Sequence, residues 1–181
     1  MTRVPRRPSP SLTARFRRVR LLLCDVDGVL TDASVFIGGE REFKRFNIQD
    51  GLGLALVRRG GIKVGWISSR PSPATEARAI ELKIDFLVQE KGAKVAAVEK
   101  ILAQTGLSWE QVCYVGDDVV DLGALKRAGV AVAVANAVAE VQALAHWKTR
   151  KAGGHGAVRE VAERLLKAQR RWRPLLAEYA A

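Results

Sequence analysis

Five short apolar runs recur along this chain: LLLCDV (21–26), IKVGWIS (62–68), IDFLVQ (84–89), VCYVG (112–116) and VAVAVA (130–135). Segments with apolar residues at helical spacing follow each of them: 50–60, 71–83, 94–106, 121–129 and 137–145. Strands that are apolar on every residue are buried on both faces, and strands alternating with helices pair in parallel. The pattern therefore predicts one doubly wound, Rossmann-like α/β domain. Two features are added to that frame. VFIGGEREFKRFNI (35–48) reads as a β-hairpin turning at Gly38-Gly39, and GAVREVAERLLKAQRRW (156–172) as one long closing helix. SWEQ (108–111) fits a capping box, but the strand following it leaves room only for a turn. A chain of 181 residues is one domain by size and large enough for a full core.

In an open parallel sheet, ligands bind beyond the carboxyl ends of the strands, where strand order reverses. Polar residues fall there at four strand ends. Asp25 and Asp27 close the first run, Ser68-Ser69-Arg70 the second, and Gly116-Asp117-Asp118 the fourth. Lys91 and Lys94 follow the third, at a helix start. Any one strand end turns polar as a matter of course. Four that deliver carboxylates, hydroxyls and an ammonium to one edge are hard to explain as solvation alone. An aspartate against so apolar a strand costs several kcal/mol unless something pairs with it.

Phosphoryl transfer uses this set. A carboxylate can take a phosphoryl group as an acyl phosphate, dividing one hard step into two. A second acid two residues away can protonate the leaving oxygen and later deprotonate water. Carboxylate oxygens without histidine or thiolate ligands select a hard cation, Mg²⁺ above all. A lysine and a hydroxyl neutralise and orient phosphate oxygens.

DVDGVLTD, ISSR, a downstream lysine and GDDVVD together resemble the four motifs of the haloacid dehalogenase superfamily, over about residues 21–164. More narrowly, FNIQDGLGL, SSRPSP, VGDDVVDL and AGGHGAVREV are similar to the 3-deoxy-manno-octulosonate-8-phosphate (KDO-8-phosphate) phosphatases. The resemblance implies a capless fold, a Mg²⁺ cofactor, a phosphorylated sugar acid as substrate and a homotetramer. It implies Asp25 as nucleophile and Asp27 as general acid/base. Ser68 then holds phosphate, and Lys94 is the phosphate lysine, with Lys91 as the alternative. Asp25, the Asp27 carbonyl and Asp117 hold the metal, with Asp118 and Asp121 supporting the loop. Asn47, Asp50, Gly51, Ser69, Arg70 and Arg78 fall at sugar-acid contacts, a solvated helix face being the competing reading of Arg78. The chain departs from the family pattern at Gln49, Ala55 and His155, each replacing an arginine. A capless site needs closing, and the resemblance points to the hairpin and to KAGGHGAV (151–158), reaching in from a neighbouring subunit.

The net charge of +11 is concentrated at the ends: residues 1–20 carry seven arginines and no acid, and residues 148–181 carry nine Lys/Arg against three Glu. Residues 1–18 read as a solvated, disordered tail, 19–172 as the phosphatase domain and 173–181 as a second tail. An anionic surface, a nucleic acid or an organelle address are the other readings of the first tail. The body has no basic stripe interleaved with aromatics, which disfavours a nucleic-acid end phosphatase. A catalytically silent oligomerisation module is disfavoured because the acid, hydroxyl and lysine set is complete. No run approaches the ~20 apolar residues of a membrane span. Cys24 and Cys113 lie in apolar runs, as buried thiols in a reducing cytoplasm do.

Overall fold

A computed structural model describes residues 10–39, 41–92 and 94–180. The chain enters through α1 (Leu12–Arg18) and runs into β1 (Leu21–Cys24). A hairpin of β2 (Phe36–Gly38) and β3 (Arg41–Phe43) precedes α2 (Ile48–Arg59). There follow β4 (Lys63–Ser68), α3 (Pro73–Glu81), β5 (Phe86–Gln89), α4 (Lys94–Thr105), β6 (Val112–Gly116) and α5 (Leu122–Arg127). The chain closes with β7 (Val130–Ala133), α6 (Ala139–Leu144), β8 (Trp147–Lys148), α7 (Ala157–Ala168) and α8 (Trp172–Ala180). The six-stranded sheet has the order β5-β4-β1-β6-β7-β8, with every pairing parallel. The doubly wound α/β expectation holds, with no cap domain among the described residues.

Strand order reverses at β1, whose four residues are all buried. Cys24 lies level with Trp66 of β4 and Val115 of β6. Asp25 therefore leaves the sheet beside Gly116 and one residue short of Ser68. Against the sheet, α2 and α7 pack at close range. A Cβ on Gly53 would meet the Ala162 Cβ and the Arg159 Cα, each at 3.2 Å, so glycine lets the two helices touch.

Four expectations need correction or extension. Residues 12–18 of the supposed tail form α1, whose Phe16 is fully buried and meets Trp147 edge-on at 6.0 Å. One aromatic among arginines is enough to dock the helix, because the stems of the charged residues stay at the surface. Residues 1–9 of that tail lie outside the described residues. The closing helix is broken: α7 ends at Ala168, Arg170 takes φ +60°, and residues 172–180 form α8 in place of a tail. A two-residue strand, β8, pairs with β7 and extends the sheet. SWEQ caps a single 3-10 turn, with the Ser108 N–H donating to Gln111 Oε1 at 3.1 Å.

The buried Phe16 makes α1 part of the domain. Phe16→Ala is expected to cost about 3–5 kcal/mol, lowering Tm by roughly 6–20 °C for a chain of this size. Differential scanning calorimetry reads this, and an unchanged Tm would return α1 to the status of a tail.

Candidate active site

Asp25 sits just past β1 and is 6% exposed. Its backbone N–H donates to Val115 O at 3.0 Å, and Val26 N–H donates to Asp25 Oδ1 at 2.7 Å. Lys94, at the first turn of α4, lies 2.8 Å from Asp25 Oδ1 and 2.7 Å from Asp121 Oδ1. Lys94 is buried whereas Lys91 is exposed, so only Lys94 stands within the cluster. Burial pulls the Lys94 ammonium down, but Asp25 and Asp121 outweigh it and hold its pKa above the ordinary lysine value.

The fully buried Asp121 organises the loop after β6. It accepts from Tyr114 Oη at 2.8 Å and from the Asp117 and Asp118 amides at 3.0 and 3.3 Å. With Lys94 added, both of its oxygens are engaged, which makes Asp121 a support rather than an open ligand. Asp117 is the reverse case: its Oδ1 is buried with no hydrogen-bond partner. A Cβ on Gly28 would come within 2.0 Å of Asp117 Oδ2, and Gly28 has φ +91°, so this glycine admits the carboxylate.

One oxygen from each of Asp25, Asp117 and Asp121 can lie within 4.8 Å of the others. Burial raises Asp25 to about 6, with repulsion from Asp121 adding to the shift and Lys94 opposing it. Burial, then Asp25 and Asp121, push Asp117 up to about 8. One lysine does not balance three acids. The all-oxygen donor set and the orphaned Asp117 oxygen fit a hard divalent cation such as Mg²⁺.

Asp27 points elsewhere. Its carboxylate meets Lys44 Nζ at 2.7 and 3.0 Å, and Lys44, with no exposed side-chain surface, also donates to Thr75 Oγ1 at 3.2 Å. Glu42 of the hairpin lies 3.8 Å from Lys44, accepts from Ser72 Oγ at 2.9 Å and from Arg70 Nη2 at 2.5 Å. The residues just before α2 thus reach back over the catalytic edge of their own chain. Sequence reasoning missed Lys44; its one signal is a lone lysine between Phe43 and Phe46, where a buried cation needs a carboxylate partner.

Ser68 is buried, with its Oγ donating to Arg70 O and accepting from Arg70 N–H, both at 3.0 Å. Ser69 and Arg70 are half-buried beside it, and Arg70 Nη1 is left without a partner. Arg78 bonds Glu81 at 2.6 Å and lies so close to Gly51 that a Cβ there would be 2.6 Å from its Nη2. Its side chain is only 12% exposed, which corrects the solvated-face reading. Asn47 and Asp50 are spent within the fold. Asn47 Oδ1 caps α2 through the Gln49 and Asp50 amides at 2.8 and 3.3 Å. The Asp50 oxygens accept from Gly156 N–H at 3.2 Å and Arg159 N–H at 2.6 Å, capping α7. Both side chains are thus engaged in capping helices.

KAGGHGAV makes contacts within its own chain. Gly154 N–H donates to Val29 O at 3.0 Å, and a Cβ on Gly153 would lie 1.7 Å from Gly28 O. The glycines therefore press against the loop after β1 of their own chain. His155 Nε2 sits 3.2 Å from Arg45, which also pairs with Asp32, so a cation outside the expected motifs borders this loop.

A switch-point strand ending in a buried aspartate, a buried lysine and a carboxylate loop on a capless parallel sheet define a haloacid dehalogenase-type hydrolase. A family model of haloacid dehalogenase-like hydrolases matches residues 61–161. The 3-deoxy-D-manno-octulosonate 8-phosphate phosphatase KdsC of Yersinia pestis is 40% identical over 156 residues, covering 86% of this chain and 83% of the relative. The Moraxella catarrhalis phosphatase of the same name, solved with magnesium, phosphate and KDO, is 35% identical with a TM-score of 0.90 over 92% of this chain and 97% of the other. A cobalt-bound form of the Haemophilus influenzae phosphatase is 34% identical with a TM-score of 0.85, covering 87% and 93%. The chain belongs to the KDO-8-phosphate phosphatase family of haloacid dehalogenase-like hydrolases.

Proposed function

We propose that this chain is a Mg²⁺-dependent phosphatase that hydrolyses KDO-8-phosphate to KDO and phosphate. The observation that carries the reading is Lys94 seated between Asp25 and Asp121, beside the unpartnered oxygen of Asp117. Asp25 Oδ2, to which neither Val26 nor Lys94 is bonded, attacks phosphorus as the bond to the sugar oxygen breaks. Asp27 delivers its proton to that oxygen, and the sugar acid leaves. Water then attacks the aspartyl phosphate, Asp27 takes the water proton, and phosphate departs with Asp25 restored. Lys94 and the Ser68 hydroxyl hold phosphate oxygens; Asp25, the Asp27 carbonyl and Asp117 hold the metal. The ion supplies positive charge against the phosphate and the crowded carboxylates. Arg70, Arg78 and Ser69 are the sugar-acid side, where Gln49 and Ala55 leave fewer fixed cations than the family pattern has.

The substrate is tested by comparing kcat/KM for KDO-8-phosphate, a nonulosonate 9-phosphate and an aryl phosphate, each with Mg²⁺ and with chelator. The proposal expects KDO-8-phosphate to lead and chelation to remove turnover of all three. A leading nonulosonate would shift the substrate, and turnover indifferent to chelation would remove the metal.

Lys44 is a positioning residue in this reading, because it holds the Asp27 carboxylate. Lys44→Met is expected to lower kcat about tenfold or more, the order of a charged hydrogen bond lost. It should also move the kcat pH profile while changing KM little; a profile that does not move would leave Lys44 a purely structural role.

The assembly is read as a homotetramer of a cytoplasmic enzyme supplying a lipopolysaccharide precursor. The hairpin supports the assembly: Phe36, Ile37 and Phe43 are 54%, 77% and 56% exposed, and Ile48 just beyond is 75% exposed. Such a patch suits burial against another copy. Two free, buried thiols fit a reducing compartment. No helix among the described residues is long and apolar enough to cross a membrane. Ile37→Glu is expected to dissociate the assembly in sedimentation velocity; a wild-type monomer would remove the assembly, and an unaffected oligomer would move its interface off the hairpin.

A further inference from the structure

The sheet edge opposite the hydrolytic centre carries an arginine cluster that phosphatase chemistry does not use. Arg20 enters β1 while Asp25 leaves it, so the two ends are roughly 16 Å apart at ~3.3 Å per residue. There Arg17, Arg20, Arg170 and Arg171 line a depression of about 320 Å³ with Ala168 and Gln169. No carboxylate lines it, and among the described residues these four arginines are not found in an ion pair, although Arg58, Arg59 and Lys167 nearby each have one. Three are instead anchored by hydrogen bonds to backbone carbonyls. Arg17 Nε donates to Ala168 O at 3.3 Å, Arg20 Nη1 to Arg17 O and Val19 O at 3.1 and 2.9 Å, and Arg171 Nη1 to Gly60 O. Each keeps further N–H groups free on a guanidinium already held in place.

The reading that competes is helix capping, since α7 ends here. Its dipole presents about half a negative charge, which leaves most of four guanidinium charges unanswered. Arg170 is placed at the depression by the turn that ends α7. It is the left-handed residue of a Schellman turn, with Arg170 N–H donating to Lys167 O at 3.1 Å and Arg171 N–H to Leu166 O at 2.9 Å. Glycine is the ordinary occupant of that position, and an L residue there is strained.

We propose that Arg17, Arg20, Arg170 and Arg171 form a binding site for a soluble anion bearing a chain of phosphate groups. A single phosphate brings at most about two charges, too few for four guanidiniums, and a linear polyphosphate matches both charge and bidentate geometry. A nucleic acid is disfavoured because the nearest aromatic rings are engaged. Trp172 has Arg159 and Lys167 over it at 5.2 and 5.3 Å, and Tyr179 has Arg59 at 5.3 Å. A base would have to displace these cations to stack on either ring. The site is separate from the hydrolytic reading and does not depend on it.

The test is calorimetric titration of inorganic triphosphate into the full chain in chelator, with orthophosphate and a single-stranded oligonucleotide as the other arms. Triphosphate is expected to bind at least about tenfold more tightly than orthophosphate and to weaken as salt rises. The Arg20→Gln/Arg170→Gly variant is expected to lose about tenfold or more of that affinity. Its Tm should be no lower than wild type, because glycine relieves the left-handed position, and its Mg²⁺-dependent turnover should be unchanged. Absent triphosphate binding, equal binding by the variant, or tighter binding of the oligonucleotide would each overturn the proposal.

Discussion

Asp25→Asn is expected to abolish turnover, by roughly 10⁴-fold or more, the scale on which a removed nucleophile is felt. The amide fills the same space at the end of β1 but cannot attack phosphorus. The neighbourhood also predicts that the variant folds. Asp25 is crowded by Asp121 and desolvated, and burial has already raised it to about 6, so a neutral group relieves repulsion while losing one ion pair to Lys94. Lys94 keeps Asp121 at 2.7 Å. The variant should therefore retain wild-type circular dichroism and a Tm close to that of the metal-free wild type. Substantial turnover in a pure sample would exclude covalent catalysis at this residue.

Asp27→Asn is expected to slow turnover by about 10²–10⁴-fold, the usual contribution of a positioned acid/base. The loss should depend on the leaving group. A sugar alkoxide needs the proton, whereas an activated aryl phosphate departs readily without it, so the aryl substrate should lose far less in the first step. Lys44 would keep a hydrogen bond to the amide oxygen, so the hairpin contact survives. Equal losses on both substrates, with acyl-phosphate formation unimpaired, would deny Asp27 the acid role.

The alternation of apolar runs and helical segments was legible because β1, β6 and β7 are wholly buried and β4 is buried past its first residue, and burial on both faces leaves no polar interruption to misread; the half-buried two-residue β8 was not legible in this way. The carboxylates after β1 and β6 were legible for the same reason: a charge against so apolar a strand stands out. What remained hidden depends on partners distant in sequence. Phe16 docks on Trp147, 131 positions away, and nothing local to an arginine-rich segment announces that contact. Asn47 and Asp50 look like ligands in isolation and are helix caps in space, because Asp50 meets the α7 amides more than 100 residues later. Lys44 is invisible as a functional group until the hairpin folds it onto Asp27. The break between α7 and α8 escaped because Arg170 holds a conformation that sequence associates with glycine.

The aspartyl phosphate is the claim on which the hydrolytic reading turns, and trapping it is the most direct measurement. Enzyme quenched in acid during steady turnover of KDO-8-phosphate with Mg²⁺, then reduced with borohydride, converts an acyl-phosphorylated aspartate to homoserine. Peptide mass spectrometry is predicted to find homoserine at position 25 in the turnover sample, and not in enzyme quenched without substrate or in the Asp25→Asn variant. Homoserine at another aspartate, or unmodified Asp25 during active turnover, would contradict the account.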